Sequence, residues 1–130
     1  MKFRLSSTLS VTFSPSLHAQ LLRYTQAKDM PRSKAVRRAV YELLESSALN
    51  KMDKLRPILP ALALQPKRTE TVAWTMPENK PAHRQLLDEV CHIRNISVTT
   101  FTRRAVYLYT IDYVSTDKEE AAEALADGWA

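Results

Sequence analysis

Glycine is almost missing from this chain: one residue in 130, Gly128, close to the end. That excludes the glycine-rich loops that bring a backbone close to a nucleotide phosphate. Cysteine is equally scarce. Cys91 alone cannot form an intramolecular disulfide, and His18, His83 and His92 have no metal-ligand spacing with it, so no metal or cofactor is expected. No nucleophile–base constellation stands out, and an enzyme is not expected. Without a signal sequence or a long apolar run, the expectation is a soluble protein of a reducing cytoplasm with no membrane contact. Acidic residues are absent before Asp29.

What is present is a repeat. Arg-Arg-Ala-Val-Tyr occurs at Arg37 to Tyr41 and again at Arg103 to Tyr107, 66 positions later. Identical strings of this length rarely recur by chance in so short a chain. The match extends: Ser33 aligns with Thr99, Asp29 with Asn95, Met30 with Ile96, Leu21 with Leu87 and Tyr24 with Val90. Upstream, Thr8 to Phe13 matches Thr71 to Met76 at an offset of 63, once three extra residues in the second copy are allowed. The chain reads as a tandem duplication of a unit of about forty residues.

Each copy opens on alternation. Leu9, Val11 and Phe13 alternate with Thr8, Ser10 and Thr12, the pattern of a strand with one apolar face and one hydroxyl face. In the second copy Val72, Trp74 and Met76 point inward and Thr71, Ala73 and Thr75 outward. Ser14-Pro15 supplies an N-cap and a proline at the first helical position. A helix from Pro15 to about Lys28 follows, with Leu17, Leu21, Tyr24 and Ala27 on one side. Asp29 and Asn95 mark the helix ends, because Asx residues tolerate the left-handed conformation best after glycine. Ser33 and Thr99 read as N-caps of second helices carrying Val36, Val40 and Leu43, and Thr102, Val106 and Tyr109. A unit this short cannot bury its apolar faces alone. The simplest solution pairs the two strands antiparallel and lets four helices close one shared core.

That strand-helix-helix unit resembles the ribbon-helix-helix family of DNA-binding proteins, the group of the Arc, CopG and methionine repressors. The resembling residues are Leu9 to Pro15 and Arg32 to Val40 in copy one, and Val72 to Pro77 and Val98 to Val106 in copy two. One departure is that the family often has glycine where this chain has Asp29 and Asn95. In the family two chains form the ribbon, whereas here both units belong to one polypeptide, a layout similar to TraY-type accessory proteins of bacterial conjugation. The implied fold is mainly α with a short two-stranded antiparallel ribbon, a tandem ribbon-helix-helix forming an intramolecular pseudo-dimer. Its organisation is a first unit over 1–50, a proline-rich linker over 51–69, a second unit over 70–114 and an acidic tail over 115–130.

A two-stranded ribbon fits the major groove of B-form DNA. With the apolar residues committed to a core, Thr8, Ser10, Thr12, Thr71, Ala73 and Thr75 are the candidate base-contacting positions. The other reading of these faces is an ordinary solvated sheet surface, which is also rich in threonine. The second helices begin where a phosphate would lie, which makes Arg32, Ser33, Lys34, Ser97, Thr99 and Thr100 candidate phosphate contacts, with Lys2 and Arg4 reaching the flanking backbone. Beyond Val114 five carboxylates face one lysine, a balance of −4, so within the total of +5 the remainder carries +9. Such a body suits a polyanionic partner. The repeated arginine pair is expected to be more often solvated or salt-bridged than in contact with DNA. Between Ser47 and about Thr69, three prolines with intervening leucines suggest an extended segment that packs in part across the helices. The tail is expected to be a frayed, solvated helix, or else to anchor a protein partner through Trp129.

The leading expectation is a sequence-specific double-stranded DNA-binding protein acting as a transcriptional regulator, with self-association on adjacent sites as a further option. Alternatives are an accessory factor for plasmid transfer or partition, an antitoxin with a toxin-binding tail, and a protein-docking module that keeps the fold without DNA.

Overall fold

Eight-residue strands form at both places where apolar and hydroxyl residues alternate. In the computed structural model, which describes residues 6–45, 67–77 and 81–129, β1 spans Ser6–Phe13 and β2 spans Glu70–Pro77. They pair antiparallel, with Ser10 opposite Ala73 and Thr12 opposite Thr71. Val11, Phe13, Val72, Trp74 and Met76 are buried and Leu9 packs against them, so the inner face of the sheet is apolar from Leu9 to Phe13 and from Val72 to Met76. Most of the chain is helical: α1 (Pro15–Lys28), α2 (Arg32–Glu45), α3 (Pro81–Arg94), α4 (Val98–Tyr109) and α5 (Lys118–Trp129), with a 3-10 turn at Ile111–Tyr113. No helix among the described residues is long and apolar enough to cross a membrane.

Local chemistry sets the boundaries. Ser14 caps α1 by accepting from the Leu17 N–H, and Pro15 occupies the first turn. Asp29 and Asn95 hold φ of 53° and 54°, the left-handed exits expected of them, and in each case the following residue's N–H returns to the helix, Met30 to Thr25 and Ile96 to Cys91. The second-helix caps differ from expectation. Ser97 is the cap of α4, accepting from the Thr100 N–H at 3.1 Å, and Thr99 is one residue inside the helix. Ser33 sits at the same internal position of α2, which starts at Arg32 after Pro31. Ala27 also departs from expectation and is exposed, while Leu17, Leu21 and Tyr24 are buried.

The core lies behind the sheet. There α2 packs on β2, α4 packs on β1, and α2 and α4 pack on each other. Val36, Ala39, Val40 and Leu43 meet Phe101, Ala105 and Val106 in one cluster with the strand residues. A two-stranded sheet has no third strand to occupy its outer carbonyls. Arg103 Nε donates to the Thr12 carbonyl at 2.7 Å, and Arg37 reaches the Thr75 carbonyl at 3.5 Å. The first arginine of each repeated pentapeptide therefore reaches a strand of the opposite copy, and neither is simply solvated. Burial and the nearby Arg68 lower the Arg103 pKa, and Asp127 opposes them.

The C-terminal segment is not frayed. Ala124, Ala126, Asp127 and Gly128 of α5 are buried, and the helix lies across α1 and α4. Asp127 accepts from the Ser14 N–H at 2.8 Å and from Arg68 Nε at 2.6 Å, which ties the exit of β1 to the entrance of β2. Trp129 turns inward, edge-on to Tyr107 and 5.6 Å from the Arg104 guanidinium, whose Nε donates to the Gly128 carbonyl. Periodicity alone did not reveal this docking, because alanine and glutamate suit a solvated helix equally well. Lys2, Arg4 and most of the proline-rich linker fall outside the described residues.

Candidate nucleic-acid interface

The outer face of the sheet carries no charge between Thr8 and Thr12 or between Thr71 and Thr75. Thr8, Ser10, Thr71 and Ala73 are exposed, and Thr12 and Thr75 are half-buried. The six expected positions thus share one face, turned away from the core. Thr12 and Thr71 face each other across the strands with their hydroxyls 3.2 Å apart, so each already has one partner. Eight residues at about 3.4 Å each give a ribbon roughly 27 Å long. Two strands about 4.8 Å apart leave space for side chains within a groove about 12 Å wide.

The phosphate candidates divide into two unlike sets. At the head of α2, Arg32 is exposed, and Ser33 and Lys34 are half-buried. Ser97, Thr99 and Thr100 at the head of α4 supply hydroxyls alone. Ser97 Oγ lies 3.0 Å from the Thr99 hydroxyl, donates to the Thr100 hydroxyl at 2.9 Å and accepts from the Thr100 N–H. Those oxygens are largely spent on capping one another. Of these six candidates, only Arg32 and Lys34 on the copy-one side are cationic.

Arg32 is not isolated. Its NH1 donates to His18 Nε2 at 2.9 Å, and His18 Nδ1 lies 3.9 Å from Glu70 Oε1. The three residues come from α2, α1 and β2, and only Arg32 was expected here. Sequence spacing could not associate them, because the left-handed turn at Asp29 and the strand pairing bring them together. Burial and the neighbouring Arg32 lower the His18 pKa, and Glu70 partly opposes this. The corresponding positions in copy two are Arg84 and Val98, and Arg84 pairs with Asp88 on its own helix. Copy two cannot build the same cluster.

Other parts of the surface are less suited to a polyanion. Glu119, Glu120 and Glu123 line a groove between α5 and α1 beside Ser16 and Ala19. Cys91 is buried, and burial with the nearby Asp88 pushes its thiol up to about 11, so it is a core residue rather than a nucleophile. Among the described residues no group of three or more His, Cys, Asp or Glu is placed to hold a metal ion. No protein-family model, curated protein or solved structure matches this chain.

Proposed function

We propose that this chain is a sequence-specific double-stranded DNA-binding protein, a transcriptional regulator of ribbon-helix-helix type whose two units form a pseudo-dimer within one polypeptide. The observation that carries the reading is the pairing of Ser10 with Ala73. These two are equivalent positions of the duplication, 63 apart, so a pseudo-dyad runs between them through an outward face of small, mostly hydroxyl-bearing residues. The crosswise packing of α2 on β2 and α4 on β1, and the crosswise reach of Arg37 and Arg103, support the same symmetry. In the groove, the threonine and serine hydroxyls donate to or accept from base edges, and Arg32 and Lys34 meet the backbone.

An antitoxin needs a C-terminal segment available to its toxin, and the inward placement of Asp127 and Trp129 counts against that alternative. An accessory role in plasmid transfer uses the same DNA-binding surface and remains the runner-up. Gel shifts with mixed-sequence duplex over a salt series test the reading. Affinity is expected to fall steeply with salt, as contacts to several phosphates release their counterions. Absence of binding at low salt, or affinity that is flat with salt, would favour a protein-docking module instead.

A further inference from the structure

The hydrogen bond between Arg32 and His18 constrains the imidazole. A guanidinium can only donate, so Nε2 must present its lone pair, and the ring is neutral with its proton on Nδ1, on the side of Glu70. One added proton on Nε2 removes the acceptor and leaves two cations in contact. The bond cannot survive that change. Arg32 is exposed at the head of α2, so its side chain has open solvent to move into.

The charged groups facing His18 are Arg32 from α2 and Glu70 from β2. The carboxylates of α5 act elsewhere on α1: Glu123 bonds Ser16, and Glu120 pairs with Arg23. We propose that His18 is the positioning residue for Arg32: neutral, it holds the guanidinium against α1, and protonated, it frees Arg32 for the DNA backbone and adds a second cation behind it. This rests on the DNA-binding reading above. Burial and Arg32 disfavour the protonated ring in the free protein, Glu70 favours it, and a backbone phosphate beside Arg32 acts as Glu70 does. Binding therefore takes up a proton, and affinity rises as pH falls through the imidazole range.

Fluorescence anisotropy of the full chain on a labelled mixed-sequence duplex tests this, from about pH 8 to about pH 5.5 around the imidazole range. The wild type is expected to gain about tenfold over that range, less than the roughly tenfold per pH unit that complete uptake of one proton would give. Its salt slope should steepen by about 0.9, the increment for one further phosphate. His18→Gln keeps an acceptor for Arg32 but cannot titrate, so its profile should be flatter. Arg32→Gln keeps the imidazole but loses the side chain it controls, and it too should lose most of the gain. Parallel profiles for wild type and His18→Gln would overturn the inference while leaving DNA binding intact. Full retention of the acid gain in Arg32→Gln would do the same, and that exposed substitution decides the matter if His18→Gln fails to fold. Absence of duplex binding at every pH would overturn the DNA reading and this inference together.

Discussion

Asp127→Ala should be among the most destabilising single substitutions in this chain, although its position two residues before Trp129 suggests an expendable end. The carboxylate is buried and accepts twice, from the Ser14 N–H at 2.8 Å and from Arg68 at 2.6 Å. Its removal strands the buried Ser14 N–H at the β1–α1 junction, a penalty of about 1–3 kcal/mol. Breaking a fully buried ion pair from one side costs roughly 3–5 kcal/mol, but the Arg68 side chain is 24% exposed and can turn to water, so the pair adds only a fraction of that. The expected loss is about 2–4 kcal/mol. A domain of this size has a total of roughly 5–15 kcal/mol, so the melting temperature should fall by on the order of 10 °C. Asp127→Asn retains an oxygen for Ser14 and should lose less. Urea unfolding followed by circular dichroism measures both, with an unchanged slope indicating that stability alone has moved. A loss below about 0.5 kcal/mol for Asp127→Ala, the size typical of exposed substitutions, would mean that α5 is not docked in solution and that the solvated-tail expectation was right.

The two repeated arginines should respond unequally. Arg103→Met, which breaks a 2.7 Å bond from a buried side chain, should cost about 1.5–3 kcal/mol, and Arg37→Met, at 3.5 Å and half-buried, under about 1 kcal/mol; equal losses in urea titrations would contradict the geometry. His18 has its pKa lowered in the fold, so its contribution to stability is present above the unfolded value near 6.5 and is lost as pH falls through the lower folded value. Thermal melts of the wild type should therefore decline over that window more than those of His18→Gln, and identical declines would remove His18 from the explanation. Cys91, with its thiol at about 11, should resist alkylation at pH 8 in the native state and react on unfolding; rapid native labelling read by mass spectrometry would refute its burial. On DNA, Ser10→Ala with Thr12→Ala should relax sequence preference more than Thr75→Ala, at about 1–3 kcal/mol per lost base contact, while Lys34→Ala weakens all sites alike. Selection from random duplexes decides this, and a perfectly palindromic consensus would contradict it.

The legible parts of the fold were those governed by neighbours in sequence. Period-two alternation identified both strand faces because every apolar member, from Val11 to Met76, has the same inner surface to cover. Asp29 and Asn95 were readable as helix exits because a chain with one glycine has few other residues that accept positive φ. Capping was harder. Serine and threonine crowd the heads of α2 and α4, and composition does not say which hydroxyl meets a free N–H, so Ser33 and Thr99 were placed one or two residues wrongly. The Asp127 junction and the cluster of His18, Arg32 and Glu70 depend on segments brought together by tertiary packing, across 113 positions in the case of Ser14 and Asp127. No periodic signal spans such a distance.

The repeat itself separates what packing demands from what a surface is free to vary. Leu21 and Leu87, Ala39 and Ala105, and Val40 and Val106 are equivalent pairs, and all six are buried in the one core. A change in either member would leave a cavity or a clash in the shared interior, which holds both copies to the same residue types. Arg37 and Arg103 belong with them, since each reaches a carbonyl of the opposite strand. The next residues share a string but not a role: Arg38 is exposed, and Arg104 is buried under Gly128 and Trp129. Identity within the repeat therefore does not by itself establish a common function, because the neighbour decides it, and for Arg104 that neighbour is α5. At two rim positions the copies diverge, with His18 and Arg32 set against Arg84 and Val98. No shared core constrains those positions. The difference at the rim, rather than the likeness in the core, is where two unequal half-sites would be distinguished, and it puts His18 and Arg32 on the copy-one side.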